Sequence, residues 1–252
     1  MIYIYPIGGL GNMFFHIASI WTLAKDNGDE LCLLNIDRKI VELMNTHGRD
    51  ASNYMYIFNR LLNRKGIASR SIEYPFHYVP LVYYNECEYF GYFQCEKYFK
   101  NKKNEIIELF KPTDQITEEV NKYQKLFGNI SVHVRRGDYI NSKVNVAQPI
   151  EYYRNALARL PNDLRVLVFS DDLRWCKKNF IGDRYVFIDE IDYISIYLMS
   201  KMKYHVISNS SFSWWSAWMS EYDNKIIITP KMWFGKNTVY DGDLIPENWI
   251  RI

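Results

Sequence analysis

The sequence lacks any run of about 18–20 apolar residues, which is the length that a membrane-spanning helix requires. Its N-terminus, MIYIYPIGGLGN, has neither a basic segment nor a small-residue cleavage pattern, so we expect a cytoplasmic chain without a secretion signal. Cysteine is scarce, with four residues among 252, and neither a C-x-x-C pair nor zinc-type Cys/His spacing occurs. These absences predict packed thiols in a reducing compartment rather than a disulfide scaffold or a zinc site.

The sequence also lacks an excess of basic over acidic residues or of acidic over basic ones. The 31 Lys and Arg against 29 Asp and Glu leave a formal net charge of +2, which argues against a broad basic face for nucleic acid. Apolar residues are abundant at 48%, which excludes a disordered chain, and 17% of the residues are aromatic. The aromatic excess fits either a wide core or stacking surfaces for flat or sugar ligands, and composition alone does not separate the two.

Strand-like and helix-like runs alternate along the chain, which is the pattern of open parallel α/β sheets. The predicted strands are residues 2–6, 31–34, 89–93, 130–134, 166–169, 185–188, 205–207 and 226–229. The predicted helices are residues 12–25, 97–110, 113–127, 150–160, 171–180, 191–201 and 211–220. Residues 38–63 are polar without a clear period, and we expect a helix and a variable loop there. We predict two domains, residues 1–125 and 126–252.

A glycine-rich segment, Gly8-Gly9-Leu10-Gly11-Asn12, follows the first predicted strand. Glycines at this point let the backbone turn tightly and approach a ligand, and a helix N-terminus attracts anions. The pattern is G-G-x-G rather than G-x-G-x-x-G, so it gives little support for a dinucleotide site. A tight strand-to-helix turn without a ligand remains an equal alternative.

Two adjacent arginines follow the strand predicted at residues 130–134, in the segment HVRRGDY at 133–139. In open α/β sheets, ligands bind at the carboxyl ends of the strands. The fork of Arg135 and of Arg136 suits paired binding to phosphate oxygens, so the segment predicts a diphosphate clamp. The alternative is a surface network of arginine and aspartate.

Two further polar segments follow later strands. Asp171 and Asp172 can accept hydrogen bonds from a ribose hydroxyl or a guanine N–H, can cap the next helix, or can do both. Hydroxyl and backbone N–H groups at the start of the helix predicted at residues 211–220 form a candidate phosphate cradle. Its residues are Asn209, Ser210, Ser211, Phe212 and Ser213. Asp241 and Asp243 form a D-x-D triplet past the last predicted strand, where we favour a loop over a metal site.

These segments, in this order, resemble those of glycosyltransferase family 11, the α-1,2-fucosyltransferases. Residues 133–139 match its H-x-R-R-x-D signature, and residues 91–99 resemble its G-Y-x-Q-S-E-K-Y-F segment. Departures are Met13, where Gln is usual, and Cys95, where Ser is usual. Residues 38–75 are not recognisable. The segments that carry the resemblance are residues 8–12, 91–99, 133–139, 169–172, 208–215 and 230–234.

The resemblance implies a GT-B-like α/β fold with two Rossmann-type domains facing a cleft, the first on the acceptor side. It implies inverting transfer of L-fucose from GDP-L-fucose to the 2-hydroxyl of a β-galactoside, without a metal or another cofactor. The acceptor would be a galactose-terminated oligosaccharide, free or lipid-linked, in a cell-surface glycan precursor. The enzyme would then be cytoplasmic, with or without peripheral contact to the inner membrane.

The resemblance also suggests roles for the residues. Arg135 and Arg136 would act on the diphosphate together with the amides of residues 210–213. His133 would bind guanine or ribose with Asp171 or Asp172. Asp138 or Asn12 would act on the acceptor hydroxyl, and Gly9 and Gly11 would shape the substrate-binding loop. Two alternatives stay open: transfer of another sugar from a nucleotide diphosphate, and a non-catalytic carbohydrate-binding protein.

Overall fold

A computed structural model describes residues 1–47, 51, 53–235 and 241–252, so the stretch predicted as irregular is described only in part. The chain forms two compact α/β units. The first contains Met1–Thr113 and Gly242–Pro246, and the second contains Asp114–Asp241 and Glu247–Ile252. Among the described residues, none of the helices has the length and hydropathy needed to cross a bilayer.

The first unit holds a parallel sheet of five strands in the order β3-β2-β1-β5-β4. Its elements in chain order are β1 (Ile2–Ile4), α1 (Leu10–Asp26), β2 (Leu31–Leu34), α2 (Ile36–His47), α3 (Tyr54–Ile57), β3 (Leu62–Arg64), β4 (Arg70–Glu73), β5 (Cys87–Phe90) and α4 (Lys103–Leu109). β1 and β2 are buried along their whole length, which explains their continuous apolar sequences. The core beside α1 is aromatic, and the rings of Phe14 and Phe110 stack with centroids 4.1 Å apart.

The second unit holds a parallel sheet of six strands in the order β11-β10-β9-β6-β7-β8. Its elements are α5 (Asp114–Asn121), β6 (Ile130–Val134), α6 (Ile150–Leu157), β7 (Val166–Ser170), α7 (Leu173–Asn179), β8 (Tyr185–Ile188), α8 (Asp192–Ser200), β9 (Tyr204–Val206), α9 (Ser211–Met219), β10 (Ile226–Thr229) and β11 (Ile250–Arg251). α9 is almost wholly buried, and Trp214 and Trp215 belong to the core.

Both sheets are doubly wound, and each has a point where the direction of strand addition reverses. In the first unit this point lies between β1 and β5, and in the second between β6 and β9. Ligands of such sheets bind outside the carboxyl ends of the strands at this reversal. The loops that follow β1, β5, β6 and β9 are therefore the expected ligand-binding loops.

Several predicted boundaries differ from the structure. We predicted the domain boundary after residue 125, whereas the chain enters the second unit at Asp114, because α5 packs against α8. Tyr123 adds to this attachment by donating a hydrogen bond to Glu190 at 2.6 Å. The strands β3, β4 and β11 were not predicted, because they are short, mostly exposed and without an apolar pattern.

Candidate functional site

In the second unit, the polar loop after β6 and the polar loop after β9 lie next to each other at the sheet reversal. Arg135 and Arg136 follow β6 directly, and Ser208 lies just beyond β9, which pairs with β6. Tyr139 donates a hydrogen bond from its hydroxyl to the carbonyl of Asn209 at 3.1 Å. The structure thus brings together two of the segments that the sequence analysis selected separately.

Asp171, at the end of β7, holds the arginine turn in place. One of its carboxylate oxygens accepts from the backbone N–H of Arg136 at 2.9 Å, and the other accepts from that of Gly137 at 3.0 Å. The second oxygen also lies 2.8 Å from Nη1 of Arg135. A Cβ on Gly137 would approach this oxygen to 2.7 Å, so a larger residue there would displace the carboxylate. Asp171 or Asp172 is predicted to accept from the nucleoside, and in the structure both oxygens of Asp171 contact the turn.

Asp172 caps α7, which confirms the capping alternative for this residue. Its Oδ1 accepts from the backbone N–H of Trp175 at 2.9 Å. Its Oδ2 lies 3.4 Å from Nε of Arg136, whose guanidinium lies 4.2 Å from the centroid of the Trp175 ring. Arg136 is therefore oriented both by a carboxylate and by an aromatic face.

Arg135 is held between two carboxylates. Its Nη2 donates to Asp138 at 2.5 Å, and its Nη1 pairs with Asp171. The side chain of Asp138 is 62% exposed, whereas that of Asp171 is 23% exposed. A guanidinium has several N–H donors, so these two contacts orient Arg135 without using all of them.

His133 is buried at the end of β6. Its Nδ1 forms a 2.9 Å hydrogen bond with the hydroxyl of Ser208, and its ring lies 5.4 Å from that of Phe212. Burial and the charge of Arg135 lower the pKa of His133 to about 3, so the ring is neutral near pH 7. A neutral imidazole can contact a nucleoside, but it adds no positive charge for a phosphate.

The start of α9 combines backbone polarity with side chains that bond within the protein. Ser213 donates from its hydroxyl to the carbonyl of Ser208 at 3.4 Å, and Asn209 donates to the carbonyl of Trp233 at 2.7 Å. Ser210 is the residue before the helix, and Ser211 and Phe212 lie in its first turn. The backbone dipole of α9, rather than the side chains of Asn209 and Ser213, is thus the element here that attracts an anion.

Gln148 is a site residue that the sequence analysis missed. It donates from Nε2 to Oδ1 of Asn209 at 3.1 Å and to the carbonyl of Met232 at 3.2 Å. These bonds connect the segment before α6, the loop before α9 and the segment after β10. A single glutamine in a loop carries no pattern, so only the tertiary contact reveals it.

The Gly-rich loop of the first unit meets a second predicted segment at the reversal between β1 and β5. Asn12 accepts from Nε2 of Gln94 on its Oδ1 at 2.8 Å. Gly8 has φ +65°, and a Cβ there would lie 2.4 Å from Nδ2 of Asn12. Gly9 precedes α1, and Gly11 is buried in its first turn. The loop therefore serves to place the Asn12 amide against Gln94.

The two carboxylates of the D-x-D triplet have separate cationic partners. Asp241 pairs with Arg251 at 2.8 Å in the second unit, whereas Asp243 pairs with Lys97 at 2.7 Å in the first. Asp243 also accepts from the backbone N–H of Tyr78 at 3.1 Å. Within the parts of the chain that the structure describes, no three His, Cys, Asp or Glu side chains are grouped to hold a metal ion.

Comparison with known proteins identifies the family of this chain and several relatives. Residues 4–252 match the sequence profile of the family described as Glycosyl transferase family 11. An alpha-1,2-colitosyltransferase of Escherichia coli is 36% identical over 181 residues, which cover 66% of this chain and 62% of the relative. The O-antigen biosynthesis glycosyltransferase WbnK of Escherichia coli is 32% identical over 183 residues, covering 65% and 60%. The alignments thus span about three fifths of the length of these relatives.

Solved structures resemble this chain in fold. Fucosyltransferase NodZ from Bradyrhizobium superposes with a TM-score of 0.54 at 11% identity, covering 86% of this chain and 92% of that one. Escherichia coli heptosyltransferase WaaC with ADP superposes with a TM-score of 0.51 at 8% identity, covering 99% and 92%. At such low identities the likeness concerns the fold, and it confirms the predicted GT-B-like α/β class with two Rossmann-type sheets.

Proposed function

Because the chain belongs to glycosyl transferase family 11, we propose that it transfers L-fucose from GDP-L-fucose to the 2-hydroxyl of a β-galactoside, with inversion and without a metal ion. The acceptor that we propose is a galactose-terminated precursor of a cell-surface glycan, free or lipid-linked. One relative is named an O-antigen biosynthesis glycosyltransferase, which supports this class of acceptor. Work on such a precursor would place the enzyme in the cytoplasm, with or without peripheral contact to the inner membrane.

The observation that carries the proposal is the meeting of two arginines with the N-terminus of α9 at the reversal between β6 and β9. Guanidinium forks bind phosphate oxygens in pairs, and a helix N-terminus attracts anions. A neutral sugar gains little from either feature, whereas both features favour the negative charge of a nucleotide sugar's diphosphate. We therefore assign the donor to the second unit and the acceptor to the first.

The charges around the arginines suggest how the diphosphate enters. Arg135 and Arg136 face three carboxylates, those of Asp138, Asp171 and Asp172, so this group carries one negative charge in excess. Asp138 is the most exposed of the three. We propose that a phosphate oxygen replaces Asp138 on Arg135, while Asp171 and Asp172 keep both guanidinium groups oriented. Diphosphate binding would thereby release the Asp138 carboxylate.

The transfer step follows from this arrangement. The bond between C1 of fucose and the β-phosphate oxygen breaks, GDP leaves with the electron pair, and O2 of the galactoside forms a bond to C1 from the opposite face. Negative charge grows on the diphosphate as the fucose ring becomes oxocarbenium-like, so fixed guanidinium and N–H donors stabilise the transition state. The proton of the 2-hydroxyl passes to Asp138, for which we propose the role of general base. Asn12, an amide in the first unit, is the alternative candidate for a contact to the acceptor.

The nucleoside would contact the buried edge of the same site. His133 and Phe212 lie side by side there, and neither carries a charge near pH 7. The amides of residues 210–213 would face the phosphates. Asp171 and Asp172 act in this proposal through the arginines that they hold.

A second candidate donor is a colitose nucleotide, because one relative is named an alpha-1,2-colitosyltransferase. Colitose is fucose without the 3-hydroxyl group, so the two donors share the diphosphate and differ at one position of the sugar. A competition assay with GDP-fucose, GDP-colitose and GDP-mannose in the same reaction separates these cases. Preferential consumption of GDP-colitose would replace fucose in the proposal and leave the arginine clamp unchanged.

The test of the proposed function combines binding with product analysis. We expect calorimetric titration to show GDP binding, which a non-catalytic carbohydrate-binding protein would lack. We expect transfer from GDP-fucose to a β-galactoside, with methylation analysis locating the linkage at O2 and NMR showing inverted configuration at C1. Full activity is expected in excess EDTA. Activity lost in EDTA and restored by Mn²⁺ would overturn the metal-independent mechanism.

A further inference from the structure

The carboxyl edge of the first unit's sheet carries a pair of aromatic rings that the mechanism above does not use. Phe76 follows β4 and Tyr92 follows β5, which are neighbouring strands. Their ring centroids lie 6.1 Å apart with planes tilted by 56°. Phe76 is half-buried, whereas Tyr92 is 47% exposed. The exposed Tyr92 ring, supported at its side by the Phe76 ring, offers an apolar face to a ligand.

The backbone around Tyr92 adopts conformations that L-residues avoid. Gly91 has φ +151°, and a Cβ there would lie 3.0 Å from the Phe93 ring. Phe93 has φ +49°, a left-handed conformation that is costly for a bulky residue. This turn buries the Phe93 ring completely and leaves Tyr92 outside. Costly backbone conformations persist where the surrounding structure enforces them, and they cluster at functional sites.

The segment that carries Phe76 is tied down on both sides. The backbone N–H of Tyr74 donates to the carbonyl of Phe90 at 2.8 Å. On the other side, the backbone N–H of Tyr78 donates to Asp243 at 3.1 Å. Phe76 is thus held in register with the turn that presents Tyr92, and Asp243 of the D-x-D triplet acts as an anchor of this segment.

The same turn continues into the amide pair at the sheet reversal. Gln94, two residues after Tyr92, is buried and donates to Asn12. On the same helical face as Asn12, His16 donates from Nε2 to the carbonyl of Tyr89 at 2.9 Å, and its ring stacks on Phe93 at 5.2 Å. Tyr92 and Gln94 therefore belong to one backbone segment, which is joined to α1 by the hydrogen bond to Asn12.

From these contacts we infer that Phe76 and Tyr92 form a stacking subsite for the galactose ring of the acceptor, next to the Asn12–Gln94 amide pair. A β-galactoside places H3, H4 and H5 on one face, which packs against an aromatic ring, while its hydroxyl groups lie at the rim for hydrogen bonding by amides. The inference rests on the proposed function for the identity of the sugar. Its own support is the exposed ring pair and the strained turn that presents it.

The test uses methyl β-galactopyranoside and three variants of the full chain. We expect Tyr92→Leu, which keeps apolar volume but removes the ring, to raise the acceptor KM about tenfold and to leave GDP affinity unchanged. Tyr92→Phe keeps the ring and should stay within about twofold of the wild type. Tyr84→Leu is the matched control, because Tyr84 is 37% exposed and stacks under Arg70, at the amino edge of the same sheet.

Saturation-transfer NMR of the same galactoside, with GDP present, reads the contact directly. We expect the strongest saturation at H3, H4 and H5 and weaker saturation at H2, and we expect this pattern to disappear in Tyr92→Leu. An unchanged KM together with an unchanged saturation pattern in Tyr92→Leu would overturn the subsite. A wild-type chain that does not transfer fucose would refute the proposed function, whereas the NMR pattern would still decide the subsite.

Discussion

The second unit carries charged groups in the loop after β6 at its sheet reversal, whereas the loops at the reversal of the first unit contact each other through neutral groups. Beyond β6 lie two arginines held by three carboxylates, next to the N-terminus of α9. Beyond β1 and β5 lie glycines, the Asn12–Gln94 amide pair and an exposed tyrosine. Parallel doubly wound sheets place a binding loop at the same topological position, so the side chains decide what is bound there.

The difference between the units fits the two kinds of substrate that we propose for this chain. A leaving diphosphate gains charge during the reaction and is stabilised by donors whose orientation is fixed in advance. A sugar hydroxyl stays nearly neutral until late in the reaction, and amides and aromatic faces hold it without strong desolvation. If the proposal is right, the second unit binds the donor and the first unit binds the acceptor, and variants should show this separation in GDP affinity and in acceptor KM.

The largest effect is expected at the arginines. Arg135→Ala and Arg136→Ala should each lower kcat about 100-fold with the fold intact, because an arginine on a leaving diphosphate contributes about 3 kcal/mol. Arg→Lys should restore little, since an ammonium group cannot form two parallel bonds. Steady-state kinetics with GDP-fucose measure this effect, and Arg154→Ala, an exposed arginine on α6, is the control. Near-normal turnover of either alanine variant would remove that arginine from the clamp.

Asp138 should show opposite effects on binding and on catalysis. Asp138→Asn removes an exposed carboxylate that competes with the phosphate for Arg135, so GDP affinity should rise by roughly twofold to fivefold. Loss of the general base should lower kcat by about 100-fold. Calorimetry and single-turnover kinetics measure the two effects, with Asp163→Asn as an exposed control. Unchanged GDP affinity and unchanged kcat would assign Asp138 to neither role.

In the first unit, Gln94 should act as a positioning residue through Asn12. Gln94→Met removes the donated hydrogen bond at similar volume, and we expect about a fivefold to tenfold rise in acceptor KM with GDP affinity unchanged. A double-mutant cycle with Asn12→Ala should show that the two effects are not additive. Additive effects, or a parallel loss of GDP affinity, would contradict positioning and indicate a general structural defect.

The folding stability of the second unit should decrease more steeply with falling pH than that of the first unit. Burial lowers the pKa of His133 and His205 in the second unit to about 3, and that of His16 in the first to about 4. An unfolded histidine titrates near about 6.5, so below that pH the unfolded chain binds protons that the folded chain does not. The contribution of these histidines to the free energy of unfolding is therefore fully present above about pH 6.5. As the pH falls below this value, the free energy of unfolding decreases by about 1.4 kcal/mol per pH unit for each histidine.

Hydrogen exchange monitored by mass spectrometry, corrected for the intrinsic pH dependence, follows the two units separately. Between about pH 6.5 and pH 5, amides of β6 and β9 should lose protection about twice as fast with pH as those of α1. Equal loss in the two units would show that these histidines do not control their acid stability.

Local sequence was sufficient for the elements whose signals are local. β6 has the predicted bounds of residues 130–134, because its buried residues, which include three β-branched apolar ones, end where the charged pair Arg135-Arg136 begins. Asp172 was predicted as a helix cap because a cap bonds to the backbone three residues ahead. The sequence also placed Arg135 and Arg136 at a strand end, where parallel sheets bind ligands.

Only the tertiary structure decided which of these residues meet. Asn12 and Gln94 are 82 positions apart, and Lys97 and Asp243 are 146 apart, so no periodicity or local propensity connects them. The contacts of Asp171 depend on the same packing: β7 pairs with β6, and this pairing places the Asp171 carboxylate against the backbone N–H groups of the arginine turn. Strand order, which results from packing many elements at once, brings such groups within hydrogen-bonding distance.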